Sequence, residues 1–157
     1  MKRASKAALG VLIAIALLAA AAFAAQPVKG GHYSGHDVVK GDTSGQFSFP
    51  ITFTVSRSGK RVKTIKFAVH YDCIAPGGIP FHTFHKLRIS HGKFRKKHVE
   101  GKIKNSTGNT DTVVVSGRFR KHRKAVGKIS EKLVIAQGKG MKSLVCSGKT
   151  SWKAKAK

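Results

Sequence analysis

One alternation constrains this chain more than any other feature. Residues 65–73 place Ile65, Phe67, Val69, Tyr71 and Cys73 on odd positions, and Lys66, Ala68, His70 and Asp72 on even ones. Successive side chains of a strand point to opposite faces, so this stretch predicts a strand with one apolar face. That face ends in one of only two cysteines, and the other, Cys146, lies near the C-terminus. Residues 46–55 repeat the pattern, with Phe47, Phe49, Ile51, Phe53 and Val55 on one face. Pro50 falls on the opposite face and has no N–H to donate, which predicts an edge strand or a bulge.

The rest of the chain is cut to the same measure. Residues 56–60 read as a hairpin turn leading into the central strand, and residues 73–80 as a loop. Leu87 and Ile89 mark a short strand. Val113 with Val115, and Leu133 with Ile135, mark others, and Leu144, Cys146 and Trp152 share one parity in the last. Residues 125–136 could be phased as a helix, but Val126, Ile129, Val134 and Ile135 are β-branched and favour a strand. Seven or eight short strands with no helix after the leader predict an all-β domain, an antiparallel β-sandwich or jelly roll with one disulfide. Its core would join the apolar faces of residues 47–55 and 65–71.

The N-terminus carries Lys2, Arg3 and Lys6 ahead of an alanine-rich apolar run, and Ala22-Phe23-Ala24 fits a small-x-small cleavage pattern. Residues 1–24 therefore read as a signal peptide. The alternative is an uncleaved anchor, since residues 7–25 approach the length needed to span a bilayer. Residues 25–30 read as a linker, 31–153 as the β domain and 154–157 as a basic tail. Export predicts a secreted or cell-envelope protein and makes a Cys73–Cys146 disulfide the default.

Charge narrows the partners. Lysine and arginine number 31 against 6 acidic residues, a formal net charge of +25. Such an excess attracts polyanions without dictating a fold. The basic residues concentrate in an internal echo. Gly92-Lys93-Phe94-Arg95-Lys96-Lys97-His98 is followed by Gly101-Lys102-Ile103, and Gly117-Arg118-Phe119-Arg120-Lys121-His122-Arg123-Lys124 by Gly127-Lys128-Ile129. Each copy reads as a hairpin with a charged tip, its glycine a bulge or close packing point and its phenylalanine facing the core. If the hairpins are neighbours, Lys93, Arg95, Lys96, Lys97, Arg118, Arg120, Lys121, Arg123 and Lys124 form one polyanion-binding patch. The competing reading is a pair of solvated turns that block edge pairing. Asn105-Ser106-Thr107 between the copies is a glycosylation sequon.

Other chemistry finds less support. His32 and His36, four residues apart on an extended strand, stand about 13 Å apart, too far to hold one ion. His82, His85 and His91 have no carboxylate near them in sequence, so no metal ligands and no cofactor are assigned. There is no Gly-x-Ser-x-Gly elbow, P-loop or dinucleotide glycine pattern. An enzyme would require a pocket that joins Asp72, Glu100 or Asp111 to a histidine.

Taken together, Gly31, Tyr33, Gly35, Cys73, Gly117, Phe119, Gly127, Cys146 and Trp152 resemble the pattern of a group of small exported one-domain β proteins of high-GC bacteria. The resemblance implies the fold and the export, and no activity. The function expected is non-sequence-specific binding of an acidic polysaccharide, a teichoic acid-like polymer or nucleic acid. The alternatives are a structural or surface protein without a ligand, and a hydrolase acting on cell wall or polysaccharide.

Overall fold

The computed structural model describes residues 25–38, 48–70, 73, 80–101, 109–137 and 141–157. The leader, Phe47, Tyr71, Asp72, most of the 73–80 loop and the sequon lie outside them. Eight strands follow in chain order: β1 (His32–Val38), β2 (Pro50–Val55), β3 (Arg61–Ala68), β4 (Phe81–Ser90), β5 (Lys93–Gly101), β6 (Thr110–Arg120), β7 (Lys124–Ile135) and β8 (Leu144–Ala156). The described residues contain no helix.

The all-β expectation holds, but the sandwich and jelly roll do not. Every strand pairs antiparallel with its neighbour in sequence, and β1 pairs with β8 to close a single eight-stranded barrel. Alternation marks one apolar face per strand, and that face looks the same whether the sheet folds over a second sheet or curls onto itself. Closure depends on the seam, where Gly35 opposes Ala154. A Cβ at Gly35 would stand 1.9 Å from the Lys153 carbonyl oxygen, so this close approach of β1 to β8 requires glycine. Pro50 is not on an edge either. It is the first residue of β2, paired with His36 of β1, and the β2–β3 ladder begins at Thr52. At that position its missing donor interrupts nothing.

The barrel interior is a packed core. Ile51, Phe53 and Val55 of β2 and Ile65 and Phe67 of β3 are buried, as are Phe94 and Phe119 of the echo. Tyr33 stacks on Phe53, and Phe53 meets Phe94, Phe119 and Trp152 edge-on or tilted. Eight strands enclose a space that side chains can fill, and here aromatic rings fill it. Cys73 is bonded to Cys146 of β8, with their Cα atoms 5.5 Å apart. The C-terminal Lys-Ala alternation is part of β8, whose Ala154 and Ala156 are buried.

The first echo is not a hairpin. Its glycine, Gly92, forms with His91 the two-residue turn between β4 and β5, both at positive φ (48° and 67°), the geometry of a type I′ hairpin loop. Lys93 to Lys97 then run along the body of β5. The second echo does turn, at residues 121–123 between β6 and β7. The β4–β5 ladder consists of Ile89↔Phe94 and Ser90↔Lys93, after which the two strands diverge.

Candidate polyanion-binding groove

Gly117 of β6 and Gly127 of β7 face each other in register, and Gly127 faces Trp152 of β8. A Cβ on Gly117 would lie 2.4 Å from the Phe94 ring, and one on Gly127 would lie 2.4 Å from the Trp152 ring. Two bare backbone positions side by side thus let the core rings press against the wall itself. On the outer side this leaves a groove of about 860 Å³, lined at its floor by Phe94, Gly117, Gly127 and Trp152.

Outward-facing residues of five strands rim the groove: Arg88 of β4, Lys93 and Arg95 of β5, Arg118 of β6, Lys128 of β7 and Lys153 of β8. Val38, Val126 and three serines complete the lining, and no carboxylate is part of it. The strand pleat explains the arrangement. Residues with the parity of Phe94, Phe119 and Trp152 turn inward, and the alternate positions that carry the cations turn outward. Charged groups are therefore held on one curved surface by strands about 4.8 Å from their neighbours.

The sequence candidates divide. Lys93, Arg95 and Arg118 lie in the groove, and Lys93 opposes Arg118 in register. Lys93 and Arg118 also line a smaller cavity of about 570 Å³ with Arg120 and Lys121, so the basic surface continues toward the β6–β7 turn. Lys96 and Lys97 are exposed on β5 opposite Val115 and Val114, outside the groove. Lys124 is exposed opposite Lys155. Arg123 is committed to structure: its guanidinium donates to the Lys157 carbonyl, and its own carbonyl accepts the Ala156 N–H at 2.9 Å. Its φ of 60°, next to His122 at 59°, is a left-handed conformation costly for non-glycine residues. These ties to the end of β8 hold it there.

Arg88, Lys128 and Lys153 were missed in the sequence. They stand outside the runs of charge along the chain, and the groove gathers such single charges from strands distant in sequence. The signal that could have found Lys128 was the pair Gly117 and Gly127, each followed directly by a cation.

Among the histidines, His32 bonds across the strands to Thr54, His85 to Thr64, and His91 to its neighbour Ser90, each on the exposed surface. His82 instead turns into the barrel, where its Nε2 lies 2.9 Å from Oε2 of the buried Glu131. Asp111 stands beside them. Asp37 is a structural carboxylate, accepting the Phe49 N–H at 2.6 Å and the Thr150 hydroxyl at 3.3 Å.

No helix among the described residues is long and apolar enough to cross a membrane. No family model and no curated protein matches the chain.

Proposed function

We propose that this is an exported polyanion-binding protein that holds phosphate- or carboxylate-bearing polymers of the cell envelope or its surroundings in the groove between β4 and β8. The observation that carries this reading is the rim: six cations from five strands, with no carboxylate in the lining. Fixed on strands, these side chains meet a string of anions without first ordering a loop, which lowers the entropic cost of binding. The Cys73–Cys146 bridge supports action in an oxidising compartment, outside the cytoplasm.

The test compares two variants with equal loss of charge. In one, Arg88, Lys93, Arg95, Arg118, Lys128 and Lys153 become glutamine. In the other, the exposed Arg61, Lys63, Lys66, Lys97, Lys132 and Lys149 do. Binding to heparin, polyglycerol phosphate and duplex DNA is followed against salt. The native protein should show log affinity for DNA falling linearly with log salt, at about −0.9 per phosphate contact, with little sequence preference. The groove variant should lose at least about tenfold more affinity than the control, and its salt slope should flatten by several contacts. Equal losses would mean that diffuse charge does the binding and would end the proposal.

A further inference from the structure

We propose that the barrel interior holds a divalent-cation site formed by His82, Asp111 and Glu131. These residues come from β4, β6 and β7, and their candidate ligand atoms all lie within 4.8 Å of one another. His82 Nε2 and Glu131 Oε2, 2.9 Å apart, are already spaced as neighbouring ligands of one ion. Two donors about 2.1 Å from a metal and at right angles stand about 3 Å apart.

Three further observations separate this cluster from an ordinary surface group of acids. The first is burial. The Glu131 side chain is fully enclosed and that of His82 is 14% exposed, so the charges sit where water screens them poorly. The second is charge. Asp111 and Glu131 bring two carboxylates within 4.8 Å of each other, and a divalent ion between them removes their mutual repulsion. The third is rigidity. The His82 ring packs beside Phe67 and Phe84, with centroids 5.4 and 6.3 Å away, which holds its orientation. Asp111 and Glu131 lie on β6 and β7 within an unbroken ladder. Ligands fixed on strands lose little freedom on binding.

One imidazole and two carboxylates suit Mn²⁺, Zn²⁺, Co²⁺ or Fe²⁺ better than a copper or an all-oxygen calcium site. His82 lies beyond the last β4–β5 pair and keeps 14% of its side chain exposed, which gives an ion a way in.

The experiment uses the purified, oxidised protein after chelator treatment, titrated with Mn²⁺, Zn²⁺ and Co²⁺ by calorimetry and, for Co²⁺, by visible absorption. One ion per chain is expected, with ligand-field bands for Co²⁺. His82→Gln and Asp111→Asn should each weaken binding by about 100-fold or more. The exposed-site control His85→Gln should not change it. Circular dichroism establishes that each variant is folded. Glu131→Gln is a less suitable probe, because it alters a fully buried group. Failure to bind any of the three ions at concentrations on the order of 1 mM would overturn the proposal and leave a buried ion pair. Binding that survives both substitutions, or that falls equally in His85→Gln, would place the ion on surface histidines and would overturn it too. None of these residues lines the groove, so the outcome is independent of polymer binding.

Discussion

Between β6 and β7 the register runs without a break from Thr110↔Val134 to Arg120↔Lys124, and between β7 and β8 from Lys124↔Lys155 to Ile135↔Leu144. Between β4 and β5 it stops after Ile89↔Phe94 and Ser90↔Lys93. The two sides of one barrel thus do different work. The continuous wall fixes cations on its outer surface at set spacings and draws the core rings up behind two glycines. The seam leaves interior positions open: Lys96 has the inward parity of Phe94 yet is exposed. A residue in the left-handed region, Lys86 at φ 57°, shifts the phase of β4. As a result Phe84 and Leu87, three residues apart, both turn inward. The comparison teaches that a single meander can hold cations on a continuous ladder on one side and interrupt that ladder on the other.

The most damaging way to test the wall is to untie its end. Cys146 sits on β8 opposite Leu133 of β7, and the bridge closes a loop of 73 residues. Cys73→Ser with Cys146→Ser should cost about 4 kcal/mol, read as a fall in chemical-denaturation midpoint relative to the oxidised protein. An unchanged midpoint would show that the strand ladder alone secures this end.

The glycine floor comes next. Gly127→Ala places a methyl group 2.0 Å from the Ser116 carbonyl oxygen and 2.4 Å from the Trp152 ring. Backbone on one side and a buried indole on the other leave it no easy escape, and about 1–3 kcal/mol should be lost. Near-UV dichroism of the single tryptophan should change with it. If stability and spectrum stay as they were, the wall is softer at its glycines than the register implies.

Much of this wall was legible in the sequence. Alternation identified the inward face of β2 and, at Ile65 and Phe67, that of β3, because period two is visible whenever a strand has one apolar side; it missed Val62 and Ala68, buried at the other parity, and the end of β3 at Ala68. The cysteine pair was legible because a chain read as exported has only two cysteines, and the core-facing Phe94 and Phe119 because each stands in the same place in the two echo copies. The closure was not legible, because pairing of β1 with β8 depends on Gly35 accepting a partner 119 positions away in the ladder. Nor was β4, where the left-handed residue Lys86 breaks the period and leaves Leu87 and Ile89 as a fragment. Glu131 was hidden for a related reason. Its inward position shows only once β7 is phased on Ile129, and its partner His82 lies 49 residues earlier.

A gentler measurement compares wall and seam directly. In native-state hydrogen exchange, the amides of β7 between Val126 and Leu133 should be among the slowest. Those of β4 and β5 that face the seam, around residues 82–85 and 97–99, should exchange at least about tenfold faster, a difference of about 1.4 kcal/mol in local opening. Equal protection would mean that the seam is closed by contacts other than a ladder.

The smallest effect concerns Tyr33, on the β1 side of the closed wall. Its phenol is buried against Phe53 and Phe119, and burial pushes its pKa above 10. The Val28 N–H donating to the phenol oxygen at 2.9 Å, and the positive charge of Arg123, offset part of that rise. The unfolded tyrosine ionises near 10, so below that pH both states keep the proton and the group adds no pH dependence. Above it the unfolded state loses its proton first, and stability falls as pH rises from 10 toward the folded value. Tyr33→Phe removes this fall, but it also leaves the Val28 N–H without its acceptor, a loss of about 1 kcal/mol at neutral pH. The two stability curves should therefore lie about 1 kcal/mol apart at pH 8 and converge above pH 10. Lysine titration in the same range affects both proteins alike and cancels in the difference. A gap that stays constant through pH 11 would mean that the phenol ionises as freely in the barrel as in water, and that this end of the wall is open to solvent.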